Sequence, residues 1–295
     1  MKYIINEKQD KLLLRDFFKL ELLLTSRLIT HLKSKENGIL VNGNRVNVDF
    51  ILNKNDILEL DFSDEEKDIN EHLVKSNIPL DIIYEDENMT VVNKPSNMPT
   101  HQSLNHYEDT LSNALAFRYS ERPYVFRAIN RLDKDTSGVV LTANNRYFAD
   151  ILSKKMKNGK MKKEYIAIVF GKTDSKGTIN APISRKADSI IERIISETGD
   201  EAITEYETLC SCDDISVLIV RPITGRTHQI RVHMKHIGHP IIGDSLYFEK
   251  SPFINRQALH AYKLKIEDIG EFTAKIPDDM RNLIERYFKN AEILA

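Results

Sequence analysis

At 295 residues, with 41% hydrophobic and 29% charged side chains, the chain has the composition of a folded globular protein and enough length for two domains. That composition excludes a disordered polyelectrolyte, and the formal charge of −2 shows no whole-chain basic excess of the kind common in nucleic-acid binders. Two cysteines, Cys210 and Cys212, are too few and too close for a disulfide framework or a zinc site, and they indicate a reducing compartment.

Met1 to Lys8 lacks the apolar core of a signal peptide, and no run approaches the ~18 apolar residues of a membrane span. The expectation is a cytoplasmic monomer with no membrane partner. Charge is unevenly distributed, with six lysines between Lys154 and Lys163 and acids gathered at Asp64 to Glu71 and Glu192 to Glu207. Either a basic face lies opposite an acidic one, or the lysines form a solvated helix end and turn.

In chain order, Leu13, Phe17, Leu20 and Leu24 recur at helical spacing and predict an amphipathic helix over Leu12 to Leu24. Thr25 or Ser26 caps a second helix, about Arg27 to Lys35, which stops at Asn37-Gly38. Ile39-Leu40-Val41 leads into an Asn42-Gly43 turn, and Val46, Val48, Ile57, Leu58 and Leu60 supply further short strands. Residues 63–76 are acidic and lack apolar periodicity, which places a linker there between a unit over 1–62 and a larger one over 77–295.

The second unit opens with a hairpin, Leu80 to Tyr84 and Met89 to Asn93, followed by a helix from Thr110 to about Tyr119 with Asp109 as its cap. Asn144 or Asn145 caps a helix through Lys155, and Tyr165 to Phe170 alternates as a strand. Further strands fall at Ile190 to Ile195, Ala202 to Leu209, Ser216 to Val220 and Leu259 to Ile266. Pro277-Asp278 opens a terminal helix to Phe288. Strands outnumber helices and short turns link them, so the fold class is α+β with a mixed, largely antiparallel sheet.

The stretch Asn130 to Gly138, running into Val139-Val140-Leu141, reads as a polar loop feeding a buried strand. Its two acids, Asp133 and Asp135, suit either a divalent cation or bonds to their own backbone. His228, His233, His236 and His239 are candidates for a zinc set, with His228 and His236 on one helical face, but neither an acid nor a cysteine completes it. There is no Gly-rich phosphate loop or dinucleotide fingerprint.

Four segments together carry a resemblance: Arg131-Leu132-Asp133 with Lys134-Asp135-Thr136-Ser137-Gly138, the block Arg221 to Met234, Lys163-Glu164-Tyr165-Ile166-Ala167, and Asn93-Lys94-Pro95. They resemble the motifs of the RluA-type pseudouridine synthases, which isomerise uridine in structured RNA. The resemblance covers roughly residues 76 to 290. It implies the pseudouridine synthase fold, no cofactor or metal, Asp133 as the catalytic carboxylate, Arg231 as its cationic partner, and Tyr165 stacked on the target base. It further implies that Arg131 fills the gap left by a flipped nucleotide, and that Arg226 and His228 contact RNA. Asn130 departs from the histidine usual at that point of the family pattern.

Residues 1–62 resemble the small RNA-binding domain first named for ribosomal protein S-four. Arg15, Arg27 and Lys33 then line an RNA face, or are scattered surface charges. The expected partner is RNA, with large-subunit ribosomal RNA first and transfer RNA second. The rival is a non-catalytic RNA-binding or ribosome-assembly protein of the same fold.

Overall fold

The computed structural model describes residues 1–288. The first 62 residues build a four-stranded sheet from β1 (Lys2–Ile4), β2 (Ile39–Val41), β3 (Asn44–Arg45) and β4 (Ile57–Leu60), in the order β1-β4-β2-β3. Helices α1 (Leu14–Leu20) and α2 (Ser26–Ser34) join it around a core of Leu14, Phe17, Phe18, Leu28, Leu32, Leu52 and Leu58. The helix expected over Leu12 to Leu24 is shorter than its apolar spacing suggests. The chain leaves it after Leu20 and turns through Leu23 in the left-handed region, φ 52°, so that Leu24 packs inward from outside the helix. Thr25 caps α2 by accepting from Leu28 N–H, and Asn42 and Gly43, both at positive φ, make the β2–β3 turn.

The 63–76 segment lies against the larger unit through specific polar contacts. The Asp64 carboxylate is buried, accepting from Val125 N–H at 3.0 Å and pairing with Arg127, while Asp68 pairs with Arg146 at 2.5 Å. Phe62 stacks on Tyr147 with ring centroids 4.8 Å apart, and Lys154 Nζ donates to the Leu23 carbonyl at 2.8 Å. An aromatic stack and a hydrogen bond thus tie the N-terminal unit to one helix of the larger unit, and the ion pairs of Asp64 and Asp68 fix the segment that follows it.

That larger unit is built on nine strands. They are β5 (Asp81–Glu85), β6 (Met89–Lys94), β7 (Ser137–Ala143), β8 (Met161–Phe170), β9 (Lys176–Asn180), β12 (Ile203–Ser211), β13 (Ile215–Pro222), β14 (Leu259–Ile266) and β15 (Gly270–Thr273). The order is β5-β6-β7-β14-β8-β13-β12-β9, with β15 beside β14, and every pairing is antiparallel except β7 with β14. The short strands β10 (Ile183–Arg185) and β11 (Arg193–Ile195) pair separately, so Ile190 to Glu192 belong to their connecting loop, where Ile190 and Ile191 are exposed. Helices α3 (Leu111–Arg118), α4 (Arg146–Lys157), α5 (Gln229–His236) and α6 (Asp278–Tyr287) complete an α+β architecture. Thr110, not Asp109, caps α3, because its hydroxyl accepts from Asn113 N–H; Asp109 bonds His106 instead. Asn145 caps α4. Among the described residues no helix is long and apolar enough to cross a membrane.

The parallel β7–β14 pair brings two backbones into close approach. All seven residues of β7 are buried, and Gly138 (φ 114°) lies opposite Ala261 so closely that a Cβ there would sit 2.1 Å from the Ala261 carbonyl oxygen. Only glycine fits, on grounds of both space and backbone conformation. Gly138→Ala is expected to lower stability by about 2–4 kcal/mol. Gly159→Ala, at φ 70° but with no atom within 4 Å of the new Cβ, should cost only about 1–2 kcal/mol. Urea midpoints of the two variants check the difference, and equal losses would contradict the close approach.

Candidate active site

The 130–136 loop leads into β7 and is clamped along its backbone. Asn130, in place of the family's histidine, acts as a short piece of strand: its Nδ2 donates to Val139 O at 3.0 Å and its Oδ1 accepts from Leu141 N–H at 2.8 Å. The departure at this position therefore comes with a braced loop. Thr100 bonds both the carbonyl (3.1 Å) and the amide (3.3 Å) of Leu132 through its hydroxyl. Lys94, fully buried, donates to the carbonyls of Pro95 (2.8 Å), Met98 (2.7 Å) and Lys134 (3.0 Å). Arg256, paired through Nε and Nη2 with Asp279 at 2.6 and 2.9 Å, donates from Nη1 to the Asp135 carbonyl at 3.2 Å. The loop backbone is thereby fixed, which positions its side chains.

Asp133 projects from this loop into a cleft of about 930 Å³. Arg231 comes to it from α5. Its Nη1 donates to Asp133 Oδ2 at 3.0 Å, while Nε and Nη2 donate to Asp244 Oδ2 and Oδ1, each at 2.7 Å. The two-pronged pair of the guanidinium is thus with the buried Asp244, and Asp133 receives the remaining edge. Burial works against the charged Arg231, but Asp244 and Asp133 outweigh it and hold its pKa above the usual arginine range. The Tyr247 ring lies under the guanidinium, 5.0 Å from its Cζ. The Tyr247 hydroxyl accepts from Arg193 N–H at 2.9 Å and shares a 2.8 Å hydrogen bond with His228 Nδ1.

His228 is not on the face of α5. It is the residue before the helix, at φ 57°, and it places Nε2 3.7 Å from Asp133 Oδ2. Burial lowers its pKa, with Asp133 acting in the opposite direction. The turn ahead of it is held by Gln229, whose Oε1 accepts from Arg226 N–H (2.9 Å) and the Thr224 hydroxyl (2.7 Å), while its Nε2 donates to Ile203 O. His233 is a satisfied core residue, bonded to Thr204 and the Ala181 carbonyl. No cluster of three or more His, Cys, Asp or Glu is arranged to hold a metal among the described residues.

Tyr165 lies on β8, opposite Val220 of β13 and Ala261 of β14, and forms part of the cleft floor at 8% exposure. Burial raises the pKa of its hydroxyl, with the nearby Asp133 adding to the effect, so it stays protonated at neutral pH. Strand alternation puts Met161 and Lys163 on the same cleft wall. Arg131 and Arg226 also line the cleft; Arg131 is exposed with no hydrogen bond or ion pair among the described residues, whereas Arg226 Nε is tied to the Glu201 carbonyl at 3.0 Å. Arg15, Arg27 and Lys33 stand elsewhere, exposed on the N-terminal unit, with Arg15 paired to Asp49 at 3.2 Å.

The lysine run divides by partner. Lys154 is held by Asp150 and Leu23 O, Lys155 by Glu267 O and Asp268, and Lys160 by Glu267, while Lys157 and Lys162 are exposed and Lys163 is half-buried in the cleft. Sequence reasoning missed the pairing of Asp244 with Arg231, the place of Tyr247 beneath it, and the bracing by Thr100 and Arg256. Asp244 carried a signal in the Gly243-Asp244 turn; the others carried none.

A family model described as RNA pseudouridylate synthase matches residues 88–236. YjbO of Bacillus subtilis, an uncharacterized RNA pseudouridine synthase, is 38% identical over 273 residues, 90% of this chain and 96% of its own. The ribosomal large subunit pseudouridine synthase D of Borreliella burgdorferi is 35% identical over 256 residues, 81% of this chain and 78% of its own. Among solved structures, human RNA pseudouridylate synthase domain containing 1 superposes with a TM-score of 0.56 at 30% identity, over 68% of this chain and 84% of that one. The fold and these matches define an RNA-modifying isomerase. The chain belongs to the RNA pseudouridylate synthases, and within them to the RluA type.

Lys94 yields a test of the loop's electrostatics. Burial lowers its pKa from 10.5 to about 7, against the pull of Asp135 and Asp133. Between those two pH values the unfolded chain holds a proton that the folded chain has released, so stability contributed by this group rises with pH across that window and is flat below it. Lys94→Met lacks the titration. Denaturant midpoints should shift in favour of the wild type, relative to Lys94→Met, as pH rises from about 7 toward 10; a constant gap would mean that the folded lysine titrates like an exposed one.

Proposed function

We propose that the protein isomerises specific uridines of large-subunit ribosomal RNA to pseudouridine, with Asp133 as the carboxylate that captures or electrostatically stabilises the cleaved sugar. The observation that carries this reading is the Asp133 carboxylate held by Arg231 in a cleft whose floor includes Tyr165. The reaction breaks the C1′–N1 bond, turns the uracil and joins C5 to C1′; N1 gains a proton and C5 loses one, so no redox partner or external group enters. Arg231, buried beside the carboxylate, sets a fixed positive charge 3.0 Å from it. The flat Tyr165 ring suits a uracil taken out of its stack, and the exposed guanidinium of Arg131 suits stacking in the gap it leaves. The ribosomal assignment draws support from the name of the Borreliella burgdorferi relative. It also draws on the N-terminal unit, which we read as an RNA-binding domain of the S-four type.

Mapping pseudouridines in total RNA from cells with and without the gene tests the substrate. Sites lost only from transfer RNA would overturn the ribosomal reading. On a transcript of the mapped region with tritium at C5 of uridine, Asp133→Asn should bind RNA and release no tritium above background. Asp135→Asn should retain measurable turnover, because the loop uses the Asp135 carbonyl while its carboxylate makes no hydrogen bond among the described residues. Wild-type release by Asp133→Asn removes this carboxylate from the mechanism.

The N-terminal reading has its own measurement. Replacing Arg27 and Lys33 by Gln should reduce the slope of log affinity against log salt by about one for each phosphate that the protein no longer neutralises. An unchanged slope would assign both residues to the solvated surface.

A further inference from the structure

Lys163 is the one member of the lysine run that faces the cleft, and it has no hydrogen bond or ion pair among the described residues. Its neighbour Glu164 is taken by Arg221 at 2.7 Å, on the other face of β8 from the cleft. Burial lowers the Lys163 pKa, and no carboxylate offsets it. A desolvated cation without a counter-charge is unfavourable and attracts an anion. Its Nζ lies beside Gly225, 3.8 Å from where a Cβ would stand, and both residues line the open cleft.

Position along the strand indicates which anion. Tyr165 lies at the floor, Lys163 is one alternation closer to the mouth at about 7 Å, and Met161 is one further still. With a uracil against Tyr165, the level of Lys163 is that of the same nucleotide's sugar and phosphate. Resting on the reading of this cleft as the uridine site, we propose that Lys163 binds a phosphate flanking the flipped uridine, so that the cleft selects a uridine within a chain and holds it in register over Tyr165. An interaction made only after the nucleotide has entered the cleft acts on the committed step more than on initial RNA binding.

The test is a cycle between protein and substrate. An oligoribonucleotide carrying the mapped uridine in its own stem-loop is made with a neutral methylphosphonate at the phosphate on either side of that uridine, and single-turnover conversion is measured. Conversion of the unmodified oligonucleotide by wild type checks the cleft and substrate reading first, so its failure is distinguishable from a failure of the Lys163 assignment. With wild type, neutralising one of the two phosphates should slow conversion about 10- to 100-fold. Lys163→Met should be slowed by a similar factor at saturating RNA, and the same methylphosphonate should then add nothing; Lys163→Arg should recover most of the rate. Penalties that multiply independently at both phosphates, or a Lys163→Met rate equal to wild type, would overturn the assignment. A folding defect in Lys163→Met cannot imitate the expected result, because the first arm is read in the wild-type protein with only the RNA altered.

Discussion

A buried guanidinium with two carboxylates around it sets the geometry of the cleft. Arg231 gives both prongs of its fork to Asp244 and a single Nη1 edge to Asp133. The division has a chemical consequence. A bidentate pair with Asp133 would have tied up both of its oxygens, whereas here Arg231 and His228 both approach Oδ2, and Oδ1 makes no hydrogen bond among the described residues. Asp244 therefore orients the arginine and supplies most of its counter-charge, and Asp133 keeps an oxygen for the cleft. Removing one partner of such a buried arrangement costs about 3–5 kcal/mol, so the pairing belongs to the fold as much as to the chemistry.

The rest of the scaffold fixes the loop on which Asp133 sits. Asn130 ties its start to β7, Thr100 holds both polar groups of Leu132, Lys94 takes the carbonyl of Lys134, and Arg256 takes that of Asp135. These braces come from separate parts of the chain, and the last of them, Arg256 ahead of β14, is itself held by Asp279 in the first turn of α6. Their common feature is that they grip main-chain atoms and leave the Asp133 side chain free to face substrate. The parallel β7–β14 contact at Gly138 closes the loop's exit, so a shift of that strand would be transmitted to the carboxylate within a few residues.

Local pattern made part of this visible in the sequence. The β14 limits, Leu259 to Ile266, follow from alternation and flanking turns, and Asp133, Tyr165 and Arg231 follow from motif positions; the structure brings these three to one cleft with Arg131, Arg226 and His228. What stayed hidden depended on contacts between distant segments. The shortening of α1 depends on a left-handed leucine that apolar periodicity does not register. His228 looked like a helix-face residue because spacing does not show where α5 begins. Lys155 and Lys160 looked like free charge because their acceptors, at Glu267 and Asp268, lie more than a hundred residues away. Asn130 looked like a defect in the motif until its two bonds to β7 accounted for it.

The same pairing explains how a chain of net charge −2 serves an RNA substrate. Total charge counts acids and bases equally, but only unpaired groups on the binding face act on a phosphate at a distance comparable to the Debye length, about 8–10 Å. Here Asp64 and Asp68 face Arg127 and Arg146 at the junction of the two units, and Asp244 is buried against Arg231. Those acids are neutralised where they stand. Arg131 and Lys163 meanwhile line the cleft with no acid paired to them among the described residues. The field at the cleft is therefore set by which charges are left over after internal pairing, a quantity that the sum over the sequence averages away.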